Sequence, residues 1–154
     1  MLKTRLRLIQ SMLGLLIVVA GSVLAAPSAW AAGWQSVTET SKFHCEGDYW
    51  YPPGVIVKVC IVINSTSTQA VTIIESGSPN SLQIRALSLR LWHNGAIIYD
   101  LDCSQTTLYY NQKRACFGPT KNYPCGHAVQ AYAAPFVGGT PYPYLTKTFH
   151  MCDS

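Results

Sequence analysis

Residues 82–103, LQIRALSLRLWHNGAIIYDLDC, constrain the fold of this chain more than any other stretch. Apolar side chains alternate at Leu87, Leu89 and Leu91 and again at Ile97, Tyr99 and Leu101, with Asn94 and Gly95 between the two runs. Period-two alternation on both sides of a turn signal is the pattern of a β-hairpin with one buried face. Loop length then sets the pairing, because a one-residue slip carries every side chain to the opposite face. A two-residue Asn94-Gly95 loop would set Leu91 against Ile98, Leu89 against Asp100 and Leu87 against Asp102, burying two carboxylates. A three-residue loop of His93, Asn94 and Gly95 sets Leu91 against Ile97, Leu89 against Tyr99 and Leu87 against Leu101. This is the expected register, and Gly95 supplies the positive φ that such a loop needs. The other face then carries Ser88, Arg90 and Trp92 against Asp100, Ile98 and Ala96, a surface that is mixed rather than purely polar.

Residues 1–31 read as a Sec-type signal peptide. Lys3, Arg5 and Arg7 form a positive start, residues 13–26 an apolar run, and Ala29 and Ala31 flank Trp30 as a small-x-small cleavage site. The apolar run is short for a membrane span and is interrupted by Pro27 and Ser28. No cysteine near the cleavage site offers a lipid anchor. The expected product is residues 32–154, a single secreted domain beginning near Ala32 and free of the membrane. The whole chain has 11 Lys and Arg against 7 Asp and Glu, but three of the basic residues leave with the signal. Without a surviving basic run, the electrostatic footprint of a nucleic-acid partner is missing.

All six cysteines, Cys45, Cys60, Cys103, Cys116, Cys125 and Cys152, lie in the exported part. An even count in such a chain points to a disulfide framework. The rival reading, a metal site of Cys116, Cys125 and His127, lacks C-x-x-C spacing and meets an oxidising compartment. Fifteen pairings are possible. Cys125 and Cys152 are equidistant from the turn signal Gly138-Gly139, and Cys45 and Cys60 from Pro52-Pro53, which leaves Cys103 for Cys116 and favours sequential local staples. Pro135, Pro141 and Pro143 make the Gly138-Gly139 hairpin an irregular edge.

Residues 55–63, VIVKVCIVI, are β-branched almost throughout and read as a buried strand. Residues 70–75 return beside it, and further short strands are expected at 107–110, 114–117, 128–133 and 145–151. No stretch of the exported part keeps a helical period. The expected fold is therefore all-β, a disulfide-stapled antiparallel β-sandwich of immunoglobulin-like architecture, with a small barrel as the alternative. Cys60, Trp92 and Cys103 follow the order Cys, Trp, Cys, but their spacing and the place of Tyr99 depart from the immunoglobulin pattern, so the architecture is expected and the family is not. The signal segment, the hydrophobic strand with its internal Cys60, the SLRLWHNG hairpin and the RACFGPT stretch together resemble uncharacterised small secreted proteins of actinomycete-type bacteria. That resemblance spans most of the exported part and implies no known activity.

Chemistry is sparse. The G-x-S-x-G elbow, the H-E-x-x-H helix and the phosphate-binding loop are absent, and no cofactor or catalytic set is expected. His44, Glu46 and Asp48 could share one strand face and hold a divalent ion, though a solvated edge explains them as well. Asp100 and Asp102 point the same way from their strand, His93 is a turn residue, and His127 and His150 adjoin structural cysteines. Tyr49, Trp50 and Tyr51, Tyr109 and Tyr110, and Tyr142 and Tyr144 either close the core ends or offer rings to a sugar. The function expected is a secreted binding module for an extracellular protein, cell-wall component or glycan, contacting it through Arg90, Trp92 and Ile98. The alternative is a small hydrolase or a hydrolase inhibitor that displays residues 116–125 as a rigid loop.

Overall fold

The computed structural model describes residues 32–51 and 54–152, with the side chains of residues 48–51 left aside. The expected signal segment and the Pro52-Pro53 turn lie outside the described residues. The chain runs through β1 (Trp34–Ser36), β2 (Phe43–Tyr51), β3 (Val55–Asn64), β4 (Ser67–Ser76), β5 (Leu82–His93) and β6 (Ala96–Leu108). It continues through β7 (Lys113–Phe117), β8 (Lys121–Asn122), β9 (Ala128–Val137), β10 (Thr140–Pro141), β11 (Tyr144–Leu145) and β12 (Phe149–His150). One sheet has the order β1-β7-β4-β3-β2, with β8 also on β4; the other has the order β10-β9-β5-β6, with β11 and β12 also on β9. All strand pairs are antiparallel, and the architecture is an all-β sandwich.

Alternation builds the core. Val55, Val57, Val59, Ile61 and Ile63 of β3 are buried at every second position and meet Ala70 and Ile74 of β4 on the same side. Ile84, Ala86, Leu89 and Leu91 of β5, with Val129, Ala131, Ala133 and Val137 of β9, close the space from the other sheet. Tyr99 reaches across: its hydroxyl accepts a hydrogen bond from the Ala70 amide at 3.0 Å, and its ring leaves no room for a Cβ at Gly118. Burial raises the Tyr99 pKa well above the usual phenol range, outweighing that amide.

The disulfides are Cys45–Cys60, Cys103–Cys116 and Cys125–Cys152. They are sequential, but Cys103–Cys116 is not a local staple: it joins β6 to β7 through the core and so ties one sheet to the other. Cys45 and Cys60 are direct cross-strand partners. After Gly138-Gly139 the return leg breaks into β10, β11 and β12, since Pro141 and Pro143 cannot donate to a continuous ladder.

The central hairpin corrects the expected register. His93 pairs with Ala96, so the loop is Asn94-Gly95 alone, with φ 48° and 81°, the two positive values of a type I′ turn. The carboxylates stay out because a bulge follows at once: Trp92 faces Ile97 while Leu91 faces Tyr99, leaving Ile98 unopposed. Leu89 then meets Leu101 rather than Tyr99. An unpaired residue costs less than a buried carboxylate. A second bulge sets Leu87 and Ser88 opposite Ala134, so Leu87, expected inside, is 41% exposed.

The outer faces of the two sheets differ. Cys60, Val71, Ile73 and Ala115 form a buried cluster on the outside of the β3–β4 sheet, covered by Val37, Phe43, Val62 and Phe117. Glu39 pins that cover through Lys58 at 3.3 Å and Lys113 at 3.0 Å. Among the described residues, the outside of the β5–β9 sheet carries no such buried cluster.

Candidate functional site

The uncovered face is built by pairing register. One row across the sheet runs Leu145, Tyr132, Arg90, Asp100, and the next runs Gln130, Trp92, Ile97. Arg90 lies over the Tyr132 ring, its Cζ 5.0 Å from the centroid, and its Nε donates to Asp100 at 2.7 Å. Ser88 Oγ donates to the other Asp100 oxygen at 2.5 Å. Asp102 pairs with Arg85 at 3.6 Å, so the two carboxylates hold separate arginines. Ile97 is 48% and Leu145 45% exposed at the two sides of the patch. A cleft of 1330 Å³ beside β6, lined by Trp34, Tyr99, Leu101 and Phe117, reaches this face through Leu87, Asp100 and Asp102.

The structure places Arg90 and Trp92 on this face and removes Ile98 from it. The bulge turns Ile98 against the core, and Ile97 takes the place beside Trp92. Trp92 itself is half-buried, with its Nε1 buried and without a hydrogen-bond partner among the described residues. Tyr132 and Leu145 have no signal in the sequence as members of the site, because β9 and β11 join the face only through pairing.

Other candidates are drawn into structural work. Glu46 accepts from the Lys147 amide at 2.8 Å, and the His44 ring sits 5.1 Å from that of Phe149. A bulge at Gly47, φ 82°, interrupts the strand after Glu46, and the Asp48 side chain lies outside the described set. Residues 116–125 do not form a projecting loop. Gly118 and Tyr123 donate to Ala70 and Thr66, and β8 pairs with β4, which lays the segment along the sheet. Tyr142 and Tyr144 pack on the core ends, whereas Tyr109 and Tyr110 are exposed at the β6–β7 turn. The side chains of Tyr49, Trp50 and Tyr51 are outside the described set. His93, read as a turn residue, and His127, read as adjoining a structural cysteine, are in direct contact. Burial and the neighbouring His127 hold the His93 pKa below the usual histidine range.

No protein-family model and no curated protein matches the chain. Among solved structures it is similar to a protein from Archaeoglobus fulgidus, at 10% identity and a TM-score of 0.37, over 64% of this chain and 96% of that one. It is also similar to the GAE domain of GGA2p from Saccharomyces cerevisiae, at 12% identity and a TM-score of 0.37, over 73% of this chain and 99% of that one.

Proposed function

We propose that this chain is an exported, non-catalytic binding module that engages a protein partner through Arg90, Trp92, Ile97, Tyr132 and Leu145. One observation carries the reading: the apolar outside of one sheet is covered by the chain's own residues, while the outside of the other presents a tryptophan between exposed aliphatics. Contiguous exposed apolar surface marks interaction sites, and Trp, Tyr and Arg dominate interface energetics. A protein fits better than a glycan because Ile97 and Leu145 offer no ring for a sugar, and the Tyr132 ring already lies under Arg90. All six cysteines are paired, which supports an oxidising destination.

The test places a photo-crosslinking residue at Ile97 or, as a control, at Lys121, and exposes each protein to the producer's culture fluid. A protein adduct from position 97 that is absent at 121, and is lost when Trp92→Ala is added, supports the reading. Equal adducts at both positions, or specific glycan retention abolished by Trp92→Ala, overturn it.

A further inference from the structure

Away from that face, the turn end of the core brings two imidazoles together. His93 closes β5, and its turn is clamped to β9: Asn94 N donates to Ala128 O at 2.9 Å, and Ala128 N donates to Asn94 Oδ1 at 3.1 Å. His127 is held from the other side, where its carbonyl accepts from Met151 N at 2.9 Å beside the Cys125–Cys152 bridge. Thirty-four residues apart, His93 Nε2 and His127 Nδ1 stand 2.7 Å from each other. The ring planes differ by 10°, with centroids 5.0 Å apart, so the nitrogens meet nose to nose in one plane. Tyr123 stacks on His93 at 3.8 Å, also within 10°.

Two imidazole nitrogens this close share one proton, which one ring donates and the other accepts. The same pair of lone pairs, freed of that proton, is a ligand set for zinc or copper. We propose that His93 Nε2 and His127 Nδ1 bind a divalent first-row transition ion, Cu²⁺ in preference to Zn²⁺. The bridging proton moves through solvent to the far nitrogen of the ring that carries it, so each imidazole stays neutral and no proton is lost. Because the two ring axes are collinear, the ion enters between them with the imidazoles trans, and the nitrogens separate to about 4 Å, the span of two metal–nitrogen bonds of about 2.0 Å in line. No third His, Cys, Asp or Glu joins the pair among the described residues. Water therefore completes the coordination, and the site is open, able to load and release its ion. The order of affinity for nitrogen ligands places Cu²⁺ above Zn²⁺.

Two readouts test this on the purified protein. With Zn²⁺, nitrogen-detected NMR of the unmodified chain is expected to show His93 Nε2 and His127 Nδ1 shifting together and saturating at one equivalent. With Cu²⁺, electron paramagnetic resonance is expected to show coupling to two nitrogens. His93→Asn and His127→Asn should each weaken Cu²⁺ binding at least tenfold, while His44→Asn and His150→Asn leave it within twofold. Shifts confined to one of the pair, shifts at His44 or His150 alone, or full affinity in His93→Asn would overturn the assignment. Because the NMR arm uses no substitution, a variant that fails to fold leaves the proposal open to refutation.

Discussion

The outer faces of the two sheets start from comparable strands and end in opposite states. On β3, β4 and β7 the outward positions include Cys60, Val71, Ile73 and Ala115, which are too apolar to face water, and Val37, Phe43, Val62 and Phe117 cover them. On β5 and β9 the outward positions are Arg90, Trp92, Gln130 and Tyr132, mixed enough to stand in solvent. The comparison teaches that an all-apolar outer face is covered, whereas the face left open interleaves its apolar groups with charged ones. Ile97, Trp92 and Leu145 lie in two adjacent rows, with Arg90 and Asp100 neutralising each other between them.

The largest expected effect tests the seal over the covered face. Ile73→Ala should cost about 3 kcal/mol, as truncation of a fully buried isoleucine does, while Ile97→Ala should stay within about 0.5 kcal/mol. Urea denaturation measures both, and equal losses would erase the distinction between the faces.

Trp92 comes next. Because it is half-buried, Trp92→Ala should cost about 1.5 kcal/mol, roughly half of what a fully buried tryptophan forfeits. Trp92→Phe keeps the ring against the sheet and deletes an indole N–H that has no partner among the described residues. It should leave the melting temperature unchanged or raise it, since an unpaired buried donor is a cost. A loss as large as that of Trp92→Ala would show that the indole N–H has a partner.

The smallest effect concerns the clamp on the cover. Burial acts to raise the Glu39 pKa, but hydrogen bonds from Lys113 and Lys58 outweigh it and hold the carboxyl below its ordinary value of 4.5. A carboxyl whose folded pKa is depressed contributes stability that is present above the unfolded value and lost as pH falls through the folded one. Glu39→Gln should therefore cost about 1 kcal/mol at neutral pH, and the gap between variant and parent should close on acidification below 4.5. Melting curves across that range would show it; a gap that persists in acid would assign the effect to packing.

Much of the fold is legible in local pattern. The alternation in residues 82–103 identifies two strands and the inward sides of Leu89 and Leu91, and the β-branched run of β3 announces a buried strand. The hairpin's pairing was not legible, because loop length and bulge act together. A two-residue turn plus the Ile98 bulge satisfies the same polarity pattern as a three-residue turn, and only the neighbouring ladder tells them apart. The bulge at Leu87 is shared with β9, forty-odd positions away, so no local signal marks it. The two-residue turn is why Ile97 rather than Ile98 stands beside Trp92.

What the sequence by itself determined follows from side-chain chemistry with a short period: which residues form strands, which side of a strand avoids water, and which cysteines lie symmetrically about a turn. Tertiary structure alone decided that Cys103–Cys116 spans the two sheets, that Val37, Phe43, Val62 and Phe117 cover one outer face while the other stays open, and that His93 meets His127. Those outcomes depend on pairing between β-strands remote in sequence. Such pairing is selected by the summed burial of whole faces and not by any one segment's pattern.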